Sequence, residues 1–239
     1  FGNYASPQYG TIKSSENYER RFIMTFPNET LPKGRKQKTT ALYDRFVSKG
    51  AVMGDSFGLE SVLWFANDPK DAYEEPTIKR SRSHDYVSKE VKNVRENVGV
   101  TEIANFSKHE FQGPDARKFL DYVLAGRIPK PGRICLNPML TPKGKLYGDL
   151  TVACLNENKF MIFGSGAVQE MHRRWFEKHL KDFNVIYKNR SDDFHGLALS
   201  GPKSRNLLQK LVRENISNEN FKFRDVREMF VAGVPAIVN

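Results

Sequence analysis

FQGPDARKFLDYVL, residues 111–124, decides the fold because it occurs twice. Its second version is LSGPKSRNLLQKLV, residues 199–212, placed 88 residues further along. Each copy runs from a strand into Gly-Pro, has an arginine three residues after the proline (Arg117, Arg205), and continues as a leucine-rich helical face. Pro114 and Pro202 suit a first helical turn, where a missing N–H costs nothing. Gly113 and Gly201 permit a tight strand-to-helix reversal. Two strand–Gly-Pro–helix units imply a duplicated α+β architecture. Neither copy carries G-x-G-x-x-G or a Walker sequence, so the Gly-Pro is a corner and not a phosphate loop.

Between the copies, residues 128–138 read as a proline-bearing loop. They are followed by MLTPKGKLYGDLTVACLNENKFMIFGSGA, residues 139–167. This is two strands joined by a short turn, entered through a turn at Pro142, Lys143 and Gly144 and closed by a glycine-rich exit. Asp149 sits within the first strand, where aspartate is disfavoured, so it faces either water or something it binds. Strict alternation sends Leu146, Leu150 and Val152 one way, with Gly148 on their side. Tyr147, Asp149, Thr151 and Ala153 then share the other face. Phe163, Gly164 and Ser165 end the partner strand and offer backbone N–H groups beside that face. Pattern alone leaves both readings of Asp149 open, the wet side of an antiparallel sheet being the commoner.

Working outward, residues 168–183 predict a helix with Met171, Trp175 and Leu180 on its core face. Short strands follow at 185–187 and 197–199, and MFVAGVPAIVN alternates as strands up to Asn239. Upstream, residues 1–40 read as a polar arm with one candidate strand, FIMTF (22–26). A short helix lies in TTALYDRFVSKG, and Trp64 and Phe65 in FGLESVLWFAND read as packing residues. The charged stretch 68–83, with Pro69 and Pro76, reads as a linker with a boundary near residue 82. Tyr86, Val87, Val91, Val94 and Val98 then mark a helix, and VTEIANFSKH (100–109) a strand.

Composition excludes several classes. Apolar residues are 39% and charged residues 28% of the 239, which fits a globular chain. No apolar run is long enough for a membrane helix. The first residue is Phe1, which reads as a processed product or a piece of something longer. Cys135 and Cys154 have no paired-motif spacing, so zinc is excluded and buried thiols in a reducing compartment are expected. The net charge of +10 is spread out. Its densest patches, KGRKQK (33–38) and KRSRSH (79–84), lack interleaved aromatics, which argues against nucleic acid. His84, His109, His172, His179 and His195 form neither H-E-x-x-H nor a facial triad. Ser165 in G-S-G lacks the spacing of a nucleophile elbow, so a hydrolase is rejected.

Four segments taken together resemble a family: VGVTEIANFSKHEFQGPDARKFLDYVL, MLTPKGKLYGDLTV, FMIFGSGA and LALSGPKSRNLLQKL. Their order and spacing over residues 85–239 are similar to the folate-binding module of aminomethyltransferases. That module occurs alone as the glycine-cleavage T-protein, and behind a flavin domain in dimethylglycine and sarcosine dehydrogenases. Residues 39–66 resemble the connecting region of the fused flavoproteins, with Leu59 where that pattern often has tryptophan. The resemblance therefore implies residues 1–82 as a connecting region after an FAD domain, and 83–239 as the folate-binding domain, truncated at its C-terminus.

The same resemblance implies a function. A flavin oxidises an N-methylated glycine, and tetrahydrofolate captures the one-carbon unit as methylenetetrahydrofolate. Asp149 becomes the catalytic carboxylate beside the folate nitrogens, where it stabilises positive charge and helps move protons. Tyr147, Thr151, Phe163, Gly164 and Ser165 become the cofactor-binding set. The T-protein pattern has two adjacent aspartates where this chain has Gly148 and Asp149. A glutamate-bearing Y-T-G-E-x-G motif and the flavin-attachment histidine fall outside the sequence, so the remainder of the same polypeptide is the expected partner. No metal, nucleic acid or membrane is implied, and the expected location is the bacterial cytoplasm or the mitochondrial matrix. Lys143, Lys145 and Arg133 are candidates to attract the anionic glutamate tails of folates. A stand-alone aminomethyltransferase and a non-catalytic folate-fold scaffold remain the alternatives.

Overall fold

The computed structural model describes residues 6–27 and 29–239; the first five residues of the expected arm lie outside them. In chain order the elements are α1 (Pro7–Glu19), α2 (Tyr43–Ser48), β1 (Ala51–Ser56), β2 (Leu59–Phe65), α3 (Ser83–Glu96), β3 (Gly99–Glu102), β4 (Ser107–Gln112), α4 (Ala116–Val123) and β5 (Arg133–Leu140). They continue with β6 (Leu146–Asn156), β7 (Lys159–Gly164), α5 (Gln169–His179), β8 (Ile186–Asn189), β9 (Leu197–Ser200), α6 (Ser204–Gln209), β10 (Arg227–Val231) and β11 (Val234–Val238). The chain divides into two compact units. One holds residues up to Asn105 with Leu197–Pro202, the other Phe106–Gly196 with Lys203–Asn239.

In the first unit, part of the expected arm is a helix. Ser6 caps α1 and Pro7 starts it. No apolar stripe announces this helix, because polar contacts hold it. Tyr9 Oη donates to Asp55 Oδ2 at 2.7 Å, and the Lys33 backbone N–H donates to the buried Glu16 carboxylate at 2.8 Å. FIMTF is not a strand: Phe22 and Met24 are each 85% exposed, and β1 and β2 form a two-stranded sheet whose further bridge, at Leu59, goes to Lys38 and not to FIMTF. Their hairpin turns over two residues, Phe57 and Gly58, both at positive φ. Leu59 is buried just beyond that turn. Trp64 stacks on Tyr86 at 5.0 Å and donates its indole N–H to Glu74 at 2.7 Å, so residues read as a linker are tied to β2. The strand expected over 100–109 breaks into β3, paired antiparallel with β9, and β4.

The second unit is built on an antiparallel sheet of order β5-β6-β7-β4-β8. The stretch expected as a proline-bearing loop is largely β5, which pairs with β6 along its whole length. Pro138 is compatible with that because β5 is an edge strand. One face of the sheet packs on α4 and α5, burying Phe111, Phe119, Leu120, Met139, Leu150, Val152, Phe160, Ile162 and Phe176. Part of the other face is covered as well: Ala153 and Met161 lie under Val226, with Phe194 and Ile237 of β11 beside them. The expected core face of α5 is met in part: Trp175 and Leu180 pack half-buried against the core, while the fully buried positions are Gln169, His172 and Phe176.

Both Gly-Pro corners form. Gly113 has φ 149°, and a Cβ there would sit 2.4 Å from the Asn184 carbonyl oxygen. Gly201 has φ 119°, and its Cβ would sit 2.5 Å from the Asn97 carbonyl oxygen. Only glycine meets both demands. The prolines lie in the turn before the helix, and α4 and α6 begin two residues later. The duplicated arginines staple each helix to the loop beyond it. Arg117 Nη1 donates to the Pro129 carbonyl at 3.0 Å, and Arg205 Nη1 donates to the carbonyls of Ile216 and Phe221.

Candidate functional site

Cross-strand register defines the face that Asp149 occupies. Pro138 lies opposite Asp149, and Leu136 opposite Thr151. Thr151 lies opposite Phe163, which lies opposite Lys108. Directly paired residues share a face, so Leu136, Thr151, Phe163 and Lys108 form one row across four strands, with Pro138 and Asp149 in the next. The β5–β6 end of this face escapes the cover that buries Ala153, whereas Phe163 packs against that cover and Lys108 is buried. Leu136 is 74% exposed, and Pro138 and Asp149 are exposed beside it. Asp149 has no ion-pair partner among the described residues. An uncommitted carboxylate thus stands on a rigid ladder among exposed apolar side chains.

Not all the residues expected there arrive. The β5–β6 register shifts so that Met139 faces Gly148 and Leu140 faces Leu146, leaving Tyr147 as an extra residue in a β-bulge. Strict alternation fails at that point. Tyr147 turns to the helix side, where its ring lies 4.6 Å from that of Trp175. Leu146 falls on the Asp149 face and is 65% exposed. Gly164 also belongs to the helix side, since a Cβ on it would meet Leu150 at 2.8 Å and His172 at 3.2 Å. Ser165 is exposed at the end of β7, leading into a 3-10 turn over Gly166–Val168. Asp149, Thr151 and Phe163 are therefore brought together, while Tyr147 and Gly164 lie behind them.

Gly148 has its own reason. The His172 ring sits against it, and a Cβ at that position would be 3.0 Å from His172 Nε2 and 3.1 Å from Met139 Cε. A carboxylate there would collide with the helix.

Lys108 is a residue that sequence reasoning missed. It is 3% exposed, and its Nζ donates to the Phe106 carbonyl at 2.6 Å. The available signal was alternation: Ser107, His109 and Phe111 point to the core, so Lys108 must share the Asp149 face. Arg133, by contrast, is ion-paired with Asp225. Lys143 and Lys145 remain exposed on the β5–β6 turn.

Behind the sheet lies a buried polar cluster. Ser107, His109, Gln169 and His172 are each at most 2% exposed. His109 Nδ1 is 2.8 Å from Tyr187 Oη, and burial, reinforced by His172, pushes its pKa from 6.5 down to about 3. Burial also lowers His172, opposed by the Tyr147 backbone. Burial raises both thiols, Cys135 and Cys154. Among the described residues there is no cluster suited to a metal ion and no helix long and apolar enough to cross a membrane.

Comparison with known proteins agrees with this architecture. The family described as the GCVT N-terminal domain matches residues 42–239. A similar curated protein is human mitochondrial dimethylglycine dehydrogenase, 34% identical over 98% of this chain and 27% of its own length. An aminomethyltransferase from Thermotoga sp. (strain RQ2) is 26% identical over 84% of this chain and 50% of its own. Among solved structures, the glycine cleavage system aminomethyltransferase T from Bartonella henselae superposes with a TM-score of 0.66 at 21% identity, covering 80% of this chain and 47% of its own. The chain spans about a quarter of the length of the dehydrogenases it matches. With that match, the duplicated Gly-Pro corners and the five-stranded sheet together, the chain belongs to the GCVT N-terminal domain family.

Proposed function

We propose that this chain is the folate-binding part of a flavin-dependent enzyme that demethylates an N-methylated glycine, dimethylglycine or sarcosine. In this reading it holds tetrahydrofolate against the Asp149 face and directs the one-carbon unit into methylenetetrahydrofolate. The observation that carries the reading is Asp149 itself, exposed and unpaired on a sheet face whose neighbours Leu136, Pro138 and Leu146 are apolar and exposed. Such a surface suits a flat ring with polar nitrogens: the aliphatic groups take the ring face and the carboxylate takes the nitrogens. The similarity reaching 98% of the chain supports the flavin-linked enzyme over the stand-alone aminomethyltransferase, which matches 84%. The mitochondrial dehydrogenases among the relatives support a mitochondrial matrix location in a eukaryote, with the cytoplasm as the bacterial counterpart.

The residues present fit tetrahydrofolate, which supplies the two nitrogens that accept the one-carbon unit. Asp149 stabilises positive charge as it develops there and takes up the displaced proton at its carboxylate. Thr151 and Phe163 continue the contact surface along the row that ends at Lys108. FAD is not fitted here: the strand-to-helix glycines Gly113 and Gly201 turn corners and cradle no phosphate. In this reading the flavin is held by the rest of the polypeptide.

Purified full-length protein is expected to show flavin absorbance. With either amine it should form methylenetetrahydrofolate only when tetrahydrofolate is supplied. A colourless protein would remove the flavin enzyme and leave the aminomethyltransferase. A second expectation concerns Lys143 and Lys145. Reversing both to glutamate should weaken a polyglutamylated folate about threefold relative to the monoglutamate, because exposed charge pairs contribute roughly 1 kcal/mol or less. Titrations in low and high salt check this, since screening should erase the difference. Equal losses for both folates would remove the lysines from tail binding.

A further inference from the structure

The bulge in β6 is gripped from behind at two consecutive residues. Trp175 packs its indole on the Tyr147 ring, with centroids 4.6 Å apart and planes inclined at 37°. His172, three residues earlier and hence on the same face of α5, is 1% exposed and seated in a notch made by two glycines of adjacent strands. Its Nε2 lies 3.0 Å from where a Gly148 Cβ would be, and its Nδ1 3.2 Å from where a Gly164 Cβ would be. His179 packs on the same indole at 4.7 Å, backing Trp175 from within the helix.

The position of the grip matters because Asp149 follows immediately. A regular strand would put Tyr147 on the same face as Asp149, two residues away. The extra residue cancels that alternation, so the ring is held on one side and the carboxylate on the other. A bulge is a means of re-aiming side chains, and it persists only where packing favours it over the regular ladder. Here the favouring contacts come from α5.

We propose that Trp175 and His172 are positioning residues for Asp149: they hold the β6 bulge so that the Tyr147 ring stays off the folate-binding face. This rests on the function proposed above and deepens it by naming what keeps that face open. Neither residue touches the ligand; Trp175 acts through the Tyr147 ring and His172 through the backbone at Gly148. Without the indole, the ring is free to swing to the Asp149 side, where it would compete with a flat ligand for the same apolar surface.

The test uses the full-length enzyme and the equilibrium dissociation constant for tetrahydrofolate, with thermal midpoint and flavin content as controls. Trp175→Ala is expected to weaken binding at least tenfold, whereas Trp175→Phe keeps it within about twofold. Tyr147→Ala placed on Trp175→Ala should restore most of the affinity, an outcome that a merely structural loss would not give. Gly148→Ala, which presses on His172, should weaken binding in the same direction. Wild-type affinity in Trp175→Ala, or no recovery in the double variant, would overturn the proposal; wild-type affinity in Gly148→Ala would remove His172 from it. If the wild-type enzyme binds no tetrahydrofolate, the functional reading falls. The grip is then decided by a crystal structure of Trp175→Ala: a Tyr147 ring turned to the Asp149 face upholds it, and a ring still on the α5 side refutes it.

Discussion

On the function proposed above, Asp149→Asn in the full-length protein is expected to leave amine oxidation near normal and to reduce formation of methylenetetrahydrofolate by about 10²–10⁴-fold, the usual range for a lost acid–base group. Asparagine keeps the size and a hydrogen-bonding oxygen but removes the charge and the proton acceptor. The substitution tests chemistry cleanly because Asp149 is exposed and has no ion-pair partner among the described residues. Stability should change by no more than about 0.5 kcal/mol, as at other surface sites. The backbone at this position lies in register with β5, opposite Pro138, and that register does not depend on the carboxylate. With the amine as substrate, the one-carbon unit should then appear as free formaldehyde. Quantifying both products against oxygen or dye reduction reads the split directly. Unchanged methylenetetrahydrofolate output would take Asp149 out of the mechanism and return it to the wet surface of the sheet.

Much of the fold was legible because it is local. Gly113 and Gly201 carry the corners in their own dihedral angles, and Pro114 and Pro202 mark the turns beside them. What escaped depended on partners distant in sequence. Residues 128–138 looked like a loop because they carry three prolines, yet β5 starts at Arg133 and, as an edge strand, holds Pro138 where the missing N–H faces no neighbouring strand. The polar helix α1 has no apolar periodicity to announce it, since Tyr9 and Glu16 hold it through hydrogen bonds.

The site was legible in half. Alternation put Asp149 and Thr151 on one face, and the structure agrees because the ladder from Gly148 to Cys154 is regular. Tyr147 was misplaced because a bulge is set by packing, here against Trp175, and no local residue type marks it. The α5 face was read in part, since Trp175 and Leu180 do pack on the core but the fully buried polar positions were not foreseen. His172 and Gln169 are polar but buried, and the glycines at 148 and 164 are what make room for the imidazole.

The buried histidines predict an acid limb of stability that a single substitution flattens. His109 is fully buried on β4. It faces Tyr187 of β8, and His172, Phe176 and Glu170 of α5, with Glu170 ion-paired to Arg173. Its pKa falls from 6.5 to about 3, chiefly through burial and then through His172. Proton uptake sets the sign. Below pH 6.5 the unfolded chain binds a proton at His109 that the folded chain refuses, so the unfolded state gains and stability is lost as pH falls. The loss continues until the folded pKa is reached, at about 1.4 kcal/mol per pH unit. Between pH 6.5 and pH 4 this amounts to roughly 3 kcal/mol from one residue, and His172, lowered in the same direction, adds to it. His109→Gln retains a hydrogen-bonding group for Tyr187 and cannot titrate. It should be less stable than wild type at pH 7, by about 1–3 kcal/mol for an imperfectly satisfied buried site. Its thermal midpoint should nevertheless fall less steeply with acid, so that the two curves converge near pH 4. Parallel acid limbs would assign the loss to carboxylates instead and leave His109 a neutral spectator in the core.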